Sequence, residues 1–496
     1  MVDCFIGIDI GTTGTKSMLI SQNGEILGHA YQGYPITMPA PNRSEQKAED
    51  WWDALVGTVR QVVSRANAAG HVRAISLSLQ GGTLVPVDDQ MRPLRNAIVW
   101  SDLRCAEQSR AFAAQHGESY LYEKTGWPLW DGLNAMQIAW LREYEPGTFA
   151  STHRFLSVPD YIAARLTGEA ALDLSNAGIN QLADIRKGTY DPKILDFAGI
   201  DATKLGRIQP SATPIGYLTE AAKRELGLTE NVLLVAGAHD QYALALGAGL
   251  TGAGDTMIGS GTAWAMTALS DESHFETGFD QSVSAVSGKW GSMISLTCGG
   301  ACLDWVRNKI ALTLPNSEPI PFSLIDQEAA ARGAGANGLM FFPYFYGAAY
   351  PLKQERCKAA FIGLDRMHDR FDMARAVMEG VSLQINWALE HFRASLGHGK
   401  LCFAGGASKS TLWTQLTADI TGECLHIPNV ADLSCVGAAM MAAIGYGAFQ
   451  SAEEAFQAMG VGERIVEPNL AVSNEYQELS KTFRKRAKAL CEMYES

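Results

Sequence analysis

No apolar run in this chain approaches the roughly 18 residues that a membrane-spanning helix needs, although 47% of its 496 residues are hydrophobic. Basic residues are also in deficit: 40 Lys and Arg stand against 53 Asp and Glu, a net charge of -13. Because nucleic acids and acidic membrane surfaces attract basic proteins, we expect neither as a partner. The opening residues Met1 to Cys4 lack the pattern of a signal peptide, which favours a cytoplasmic location.

Disulfide and metal patterns are missing as well. The nine cysteines are scattered and odd in number, which is typical of reduced thiols in a cytoplasmic enzyme. Cys298 and Cys302 lie four residues apart, but no cluster of His or Cys follows them, so we interpret both as packing residues. The ten histidines form no zinc-ligand pattern in the sequence.

Strand and helix patterns alternate along the chain, which predicts an α/β architecture. Short apolar strands and turns from Phe5 to Pro35 predict an antiparallel meander. Length alone favours about two to four domains. Apolar residues at helical spacing and helix-forming composition predict helices at 47–69, 103–116, 135–142, 158–166, 220–226, 301–310, 373–396, 409–421 and 437–446.

The chain starts a second time near its middle. Residues 6–16 indicate a buried strand that ends near Asp9 and enters a turn of Gly and Thr, and residues 255–263 repeat this pattern. The repetition predicts a duplicated domain, which we divide into 1–249 and 250–496. A cleft between the two halves would then carry one phosphate-binding turn from each side.

The first turn contains groups that suit a nucleotide. Small residues let backbone N–H groups and hydroxyls approach a polyphosphate, and the carboxylate of Asp9 can hold the accompanying metal ion. Because Gly and Thr also suit an ordinary hairpin, the motif alone leaves a purely structural turn open.

Asp240 follows another apolar strand, Val232 to Gly237, and is a candidate general base. A carboxylate at a strand end can accept the proton of an attacking hydroxyl. The alternative is an Asp that caps the Ala-rich segment 242–250. We interpret the preceding His239 as a structural residue or one that supports its neighbour.

Six segments form a set that extends over essentially the whole chain: 9–16, 100–104, 239–241, 259–262, 405–408 and a C-terminal signature from Ala359 through Gly363 to Glu379. Together they resemble the FGGY family of carbohydrate kinases. The usual Lys of one family signature is replaced by Gln137. The resemblance implies two ribonuclease-H-like α/β domains, of the type shared with actin and the heat-shock chaperones, and the transfer of phosphate from ATP, with Mg²⁺, to a sugar hydroxyl. A ketopentose such as D-xylulose is the first expected substrate.

The resemblance also implies roles for individual residues. Asp240 corresponds to the catalytic base, and Asp9 to the residue that binds Mg²⁺, through water. Lys16 can neutralise phosphate charge or be a solvated strand residue. The implied ATP-binding residues are Thr12, Thr13, Gly14, Lys16, Gly261, Thr262, Gly300, Asp304, Gly405, Gly406 and Ser410. The implied sugar-binding residues are Gln80, Gly81, Gly82, Trp100, Asp102, Asp240 and Gln241.

The identity of the sugar is less constrained. After Gln80 this chain has Gly81 and Gly82, where glycerol kinases carry Arg-Glu and xylulokinase-like members Met-His, so glycerol is disfavoured. We expect the two glycines to leave space for a bulkier polyol or to expose backbone amides to it. Trp100 packs on a sugar face or in the core.

Other substrates and another class of protein stay open. A related kinase of L-xylulose, another polyol, an aldonate or a quorum-signal sugar is the first alternative. A nucleotide-driven ATPase module like actin or a chaperone is the second. A homodimer is also open, because the apolar helix at 437–446 could pack internally or at a dimer face.

Overall fold

The computed structural model describes residues 2–275, 278–296, 298–310 and 319–494. These residues form two compact units, and neither unit is one continuous half of the chain. The first comprises Met1–Thr251, Asp271–Ser292 and Asp432–Val461, and the second Gly252–Ser270, Met293–Ala431 and Gly462–Ser496. The division into consecutive domains 1–249 and 250–496 stays an interpretation of the sequence.

The strands are β1 Cys4–Ile10, β2 Gly14–Ser21, β3 Ile26–Gly33, β4 Glu45–Gln46, β5 Val72–Leu79, β6 Leu84–Val87, β7 Ala97–Ile98, β8 Arg154–Ser157, β9 Ala171–Asp173, β10 Ala183–Asp184, β11 Thr189–Tyr190, β12 Arg207–Gln209, β13 Pro214–Tyr217, β14 Leu233–His239, β15 Thr256–Ser260, β16 Trp264–Ser270, β17 Asp280–Val283, β18 Trp290–Leu296, β19 Met340–Phe342, β20 Ala360–Ile362, β21 Leu401–Gly405, β22 Leu425–Pro428 and β23 Glu463–Val466.

The α-helices are α1 Ala48–Arg65, α2 Ala106–His116, α3 Ser119–Thr125, α4 Asn134–Tyr144, α5 Pro146–Ser151, α6 Val158–Thr167, α7 Leu174–Ile179, α8 Pro192–Ala198, α9 Glu220–Leu226, α10 Asp240–Gly247, α11 Gly300–Trp305, α12 Phe322–Ala330, α13 Arg370–Leu396, α14 Thr411–Thr421, α15 Leu433–Tyr446, α16 Ala452–Met459 and α17 Leu470–Glu492. Each predicted helix is present, and all but the one at 220–226 have shifted ends. The helix predicted at 47–69 stops at Arg65, and Asn67 beyond it has a φ of 50°, a conformation that does not continue a helix.

The main sheets of the two units share a run of five strands with the same pairing, although β13 precedes β14 in the chain and β23 follows β22. In the first unit, β1 pairs antiparallel with β2 and parallel with β5, β5 pairs parallel with β14, and β14 pairs antiparallel with β13. In the second unit, β15 pairs antiparallel with β16 and parallel with β21, β21 pairs parallel with β22, and β22 pairs antiparallel with β23. The predicted duplication is therefore confirmed at the level of strand order. The predicted meander of β1, β2 and β3 is confirmed too.

The core of the first unit lies between its sheet and flanking helices. The inward face of α1 buries Trp51, Leu55 and Val59 completely. They belong to one hydrophobic cluster with Ile6 and Ile8 of β1. Burial of this kind contributes about 1.5 to 3 kcal/mol per large side chain, and it fixes the strand that carries Asp9.

A buried ion pair anchors the C-terminal signature in the second unit. Glu379 on α13 accepts hydrogen bonds from Arg375 Nε at 2.6 Å and from the Tyr476 hydroxyl at 2.7 Å. The backbone N–H of Gly335 donates to the same carboxylate oxygen at 3.2 Å. This part of the signature therefore joins α13, α17 and the loop before β19.

Among the described residues, no helix is both long enough and apolar enough to cross a membrane.

Helix α15 packs against α10 and β1 with almost no space between the backbones. A β carbon on Gly7 would lie 1.8 Å from the Cys435 carbonyl oxygen, and one on Gly437 would lie 1.9 Å from the Ala243 carbonyl oxygen. A β carbon on Gly247 would lie 2.0 Å from the Leu433 carbonyl oxygen. Glycine at these positions therefore lets α15, predicted to pack internally or in a dimer, pack inside the first unit.

We expect Gly437→Ala to destabilise the protein by about 2 kcal/mol or more, because its methyl group would force α10 and α15 apart. Urea unfolding measures this change. Gly147→Ala is the matched control, since the described structure leaves open space around Gly147. Equal stability of the two variants would contradict the close packing of α15.

Candidate active site

Three neighbouring parallel strands of the first unit end at the same edge of the sheet. In their register, Asp9 on β1 lies opposite Ser78 on β5, and Leu79 on β5 lies opposite His239 on β14. Ligands of open α/β sheets bind outside such carboxyl ends. The edge therefore brings together the sequence-predicted residues Asp9, Gln80 and Asp240.

Asp9 is a mostly buried carboxylate beside a second one. The Ser78 hydroxyl donates to its Oδ1 at 2.7 Å, and Lys16 Nζ lies 4.0 Å from its Oδ2. Burial raises the pKa of Asp9 from 3.8 to about 6, and the charge of Asp240 adds to this increase. Two carboxylates at one sheet edge repel each other, so the site favours a bound cation.

Lys16 has a closer partner than Asp9. Its Nζ lies 2.8 Å from Oδ1 of Asp432, and the other oxygen of Asp432 lies 2.9 Å from His29 Nε2. Asp432 directly precedes α15, and sequence analysis missed it, since more than four hundred residues separate it from Lys16 and no motif marks it. Its carboxylate competes with phosphate for the Lys16 ammonium group.

Two of the predicted sugar-binding residues, Trp100 and Gln80, form hydrogen bonds with Thr12 in the turn after β1. Trp100 Nε1 donates to the Thr12 hydroxyl at 3.1 Å, and that hydroxyl donates to Gln80 Oε1 at 3.0 Å. Thr13 is exposed, whereas Gly14 is buried at the start of β2. Thr12 and Trp100 therefore lie in one hydrogen-bonded group with Gln80, and 42% of Trp100 stays exposed.

We expected Gly81 and Gly82 to leave open space for a polyol. This expectation is wrong, because other side chains fill the positions that their β carbons would take. A β carbon on Gly81 would lie 2.4 Å from Ile179 Cγ2 and 3.2 Å from His239 Cδ2, and one on Gly82 would lie 2.3 Å from Leu133 Cδ2. The Gly82 N–H also donates to Asn180 Oδ1 at 3.0 Å, so it is not exposed for a sugar hydroxyl. Neighbouring side chains occupy the space instead.

Gln137, which stands where the family signature has Lys, supports this loop. Its Nε2 donates to the Gly132 carbonyl at 2.7 Å and to the Gly82 carbonyl at 3.3 Å. The side chain is fully buried. Gln137 therefore helps to fix Gly82 by neutral hydrogen bonds where a lysine would place a charge.

Asp102 lies in a buried ion pair. It accepts a hydrogen bond from the Ser44 N–H at 2.6 Å, and Arg104 donates to both of its oxygens, at 2.8 Å from Nε and 2.7 Å from Nη2. Asp102 is completely buried. This geometry favours a role in shaping the loop after β7, and it weighs against the predicted contact of Asp102 with a sugar.

Asp240 begins α10 and remains accessible. Its side chain is 36% exposed, and its Oδ1 lies 3.3 Å from His239 Nε2. The Ser175 hydroxyl accepts the His239 N–H at 2.9 Å, which fixes the backbone where β14 becomes α10. Gln241 follows on the first turn of the helix and is partly exposed. An accessible carboxylate on a fixed backbone has the properties that a general base needs.

The second unit brings its predicted ATP-binding residues together in the same way. Ser260 at the end of β15 lies opposite Gly405 at the end of β21. Beyond these ends, the Gly300 N–H donates to the Gly261 carbonyl at 3.1 Å, and the N–H groups of Gly299 and Ala301 each donate to the Thr262 carbonyl at 3.1 Å. These bonds align the segment before α11 with the turn after β15.

The remaining residues of this group differ in their surroundings. Asp304 lies on the exposed side of α11, and Gly406 is exposed after β21. The Ser410 hydroxyl accepts the Trp413 N–H at 2.9 Å and thereby caps α14, so its predicted contact with adenosine competes with a structural role. Gly405 has a φ of 112°, which a residue with a side chain rarely adopts.

The donor set at Asp9 fits Mg²⁺ better than a transition metal. In the part of the chain that the structure describes, no group of three or more His, Cys, Asp or Glu side chains could hold a metal ion. Mg²⁺ often uses only one or two carboxylates, and takes its other ligands from phosphate and water. Asp9, with Asp240 nearby, suits this mode of binding.

The chain matches the family models of the FGGY family of carbohydrate kinases, the N-terminal domain over residues 4–247 and the C-terminal domain over residues 257–446. It therefore belongs to this family and is an ATP-dependent sugar kinase with the two-domain α/β fold of the actin, heat-shock chaperone and sugar kinase class. Sugar kinases of the family use ATP, generally with Mg²⁺.

Relatives and a solved structure agree with this assignment. The xylulose kinase of Bacillus subtilis (strain 168) is 31% identical over 455 residues, which cover 90% of this chain and 89% of that protein. The xylulose kinase of Escherichia coli (strain K12) is 29% identical over 489 residues, with 97% and 98% covered. The crystal structure of xylulose kinase from Rhodospirillum rubrum has a TM-score of 0.92 at 24% identity, covers 99% of this chain and 100% of that one, and supports the fold.

We expect Asp9→Asn to raise stability at neutral pH while it lowers kinase activity. Because the folded pKa of about 6 exceeds the ordinary 3.8, the stabilising protonation of Asp9 is lost as the pH rises from about 4 to about 6. At pH 8 the ionised carboxylate then costs about 1 to 3 kcal/mol, which the amide avoids. Urea unfolding and a Mg²⁺-dependent ADP assay measure the two effects.

The internal control is pH. Near pH 3.5 Asp9 is protonated in the folded protein and largely so in the unfolded chain, so the stability difference between the variant and the wild type should shrink. An Asp9→Asn variant with full Mg²⁺-dependent activity would remove Asp9 from the metal site.

Proposed function

We propose that this kinase phosphorylates a ketopentose on its terminal hydroxyl, with D-xylulose as the first candidate and its 5-phosphate as the product. The substrate is supported by the relative at 31% identity, which is a xylulose kinase and is covered over 89% of its length. The observation that carries the chemistry is the accessible carboxylate of Asp240 at the sheet edge that also holds Asp9.

Asp240 acts as the general base in this proposal. It accepts the proton of the sugar hydroxyl while the hydroxyl oxygen forms a bond to the γ-phosphorus of ATP, and the bond from that phosphorus to the β,γ-bridging oxygen breaks to release ADP. Asp9 holds Mg²⁺, which neutralises phosphate charge when it is bound. Trp100, beside Gln80, offers its exposed ring to an apolar face of the sugar.

The proposed ATP-binding residues fall into two groups, each within one unit. In the first unit, Thr13 and the backbone around Gly14 approach the transferred phosphate. Thr12 and Lys16 also contribute when phosphate replaces their present partners, Gln80 and Asp432. In the second unit, Gly261, Thr262 and Gly300 hold phosphates, and Gly405 and Gly406 let the chain pass close to the adenosine. The exposed Asp304 and the cap residue Ser410 complete the proposed set.

Other substrates remain part of the test. L-xylulose, xylitol and an aldonate would use the same base, so only an assay across sugars separates them. A cytoplasmic location stays within the proposal, because the scattered cysteines suit a reducing compartment. The oligomeric state is not part of it.

We expect ADP release from ATP to depend on added sugar, with D-xylulose giving the highest kcat/KM among D-xylulose, L-xylulose, xylitol, glycerol and D-gluconate. A coupled ADP assay measures all five. Equal ATP turnover without sugar would favour a nucleotide-driven ATPase instead. A different preferred sugar would keep the kinase and replace the substrate.

We expect Asp240→Asn to lower kcat by roughly 10²- to 10⁴-fold, because an amide cannot accept the hydroxyl proton. The KM for ATP should change little. Asp201→Asn is the matched control, since Asp201 is an exposed residue that only caps its own turn. Near-normal kcat in Asp240→Asn would rule out Asp240 as the base.

A further inference from the structure

Some of the buried polar side-chain atoms that lack a hydrogen-bond partner in the described part of the chain lie at or near Asp240. Trp127 Nε1, Gln181 Oε1, His239 Nδ1 and Asp240 Oδ1 have no hydrogen-bond partner among the described residues. Trp127 is 9% exposed, His239 6% and Gln181 0%. Each such atom costs about 1 to 3 kcal/mol when it stays unsatisfied, so a cluster of them indicates a ligand.

These side chains are neighbours. The rings of Trp127 and His239 meet edge to face with their centroids 5.9 Å apart, and His239 Nε2 lies 3.3 Å from Asp240 Oδ1. Gln181 Nε2 donates to the backbone carbonyls of Trp127 and Pro128. The glycine at position 81 is what admits the His239 ring, because a β carbon there would lie 3.2 Å from His239 Cδ2.

The chemistry of the free atoms selects the kind of group that can satisfy them. The amide of Gln181 is oriented by the carbonyls that its nitrogen contacts, so its oxygen is the free acceptor. His239 Nδ1 can donate or accept, depending on which ring nitrogen carries the proton. The set therefore contains two acceptors, Gln181 Oε1 and Asp240 Oδ1, one donor, Trp127 Nε1, and a ring nitrogen that can serve as either.

Hydroxyl groups match this set, because each can donate to an acceptor and accept from Trp127. A carboxylate can only accept, so it would leave Gln181 Oε1 unsatisfied and would be repelled by the Asp240 charge. These atoms therefore favour a neutral hydroxyl compound over a sugar acid.

We propose that Trp127, His239 and Gln181 form a hydroxyl-binding subsite beside Asp240 that selects a neutral ketose or polyol over a sugar acid. The subsite rests on the proposed sugar kinase function and adds residues that the sequence motifs do not assign. Trp127 and Gln181 belong to no recognised segment of the sequence, and His239 was expected to be a structural residue or one that supports its neighbour.

The test compares variants that remove one polar atom each. Trp127→Phe removes the indole N–H, and His239→Phe keeps a ring without nitrogen, whereas His239→Asn retains a polar atom near the position of Nδ1. We expect the first two to raise the KM for D-xylulose roughly 5- to 100-fold and to leave the KM for ATP within about twofold. His239→Asn should recover part of the loss.

Trp52→Phe is the matched control. Trp52 is also buried, but its Nε1 donates to Glu225 at 2.9 Å, on α9. We expect this change to lower the melting temperature and to leave the KM for D-xylulose unchanged. Trp127→Phe should instead raise the KM for D-xylulose and have the smaller effect on the melting temperature.

Deoxy analogues of the substrate identify which sugar hydroxyl contacts Trp127. One monodeoxy analogue of D-xylulose should lack the hydroxyl that Trp127 binds. Its KM with the wild type should exceed that of D-xylulose by the same factor by which Trp127→Phe raises the KM for D-xylulose. The Trp127→Phe variant should not raise the KM for this analogue any further. D-gluconate should give a kcat/KM at least tenfold below that of the best neutral sugar in the wild type.

The outcomes separate this subsite from the function on which it rests. If no sugar in the panel stimulates ADP release by the wild type, the proposed function and the subsite both fail. If D-xylulose or another neutral sugar is phosphorylated but neither Phe variant changes its KM, the function stands and the subsite fails. Preference for D-gluconate overturns the proposed selection of neutral substrates.

Discussion

The close approach of α15 to β1 and α10 is the constraint on which the candidate site depends. Gly7, Gly247 and Gly437 leave backbones in contact where any side chain would overlap a carbonyl oxygen. Asp9 lies two residues after Gly7 on β1, and Asp240 begins the helix that ends with Gly247. The packing of three glycines therefore sets the separation of the two carboxylates, and a helix from the far end of the sequence sets the packing.

The same geometry raises the pKa of Asp9. The carboxylate of Asp9 is placed where burial and the charge of Asp240 both raise its pKa. A structure optimised for stability alone would not hold an ionised group there, because each contribution makes the charged form more costly. The cost becomes useful when a divalent cation and phosphates are bound, since the same burial strengthens attraction to the metal.

The sequence was sufficient for the β1 to β3 meander, the repeated turn and nine helices, because these depend on local periodicity and on short motifs. It did not predict the other helices, among them the long C-terminal α17. It could not predict that segments 271–292 and 432–461 pack with the first unit. Nor could it reveal the partner of Lys16, the ion pair that buries Asp102, or the side chains that fill the space beside Gly81 and Gly82. Each of these depends on contacts between residues far apart in the chain, which one sequence without an alignment does not record.

The predicted site residues differ in whether their polar atoms already have hydrogen-bond partners within the protein. Asp102 is bound by Ser44 and Arg104, and Ser410 caps a helix, so their polar atoms already have partners that the fold supplies. Asp240 differs, because its Oδ1 has no hydrogen-bond partner within the described residues although it is buried. A motif shows which residue types are present, whereas an unsatisfied buried atom shows where the protein has kept bonding capacity for something else. On this ground we place His239, which the sequence left as a structural residue or a support for its neighbour, with Asp240 in the proposed site. Asp102, which the family resemblance assigned to the sugar, we place in the surrounding scaffold.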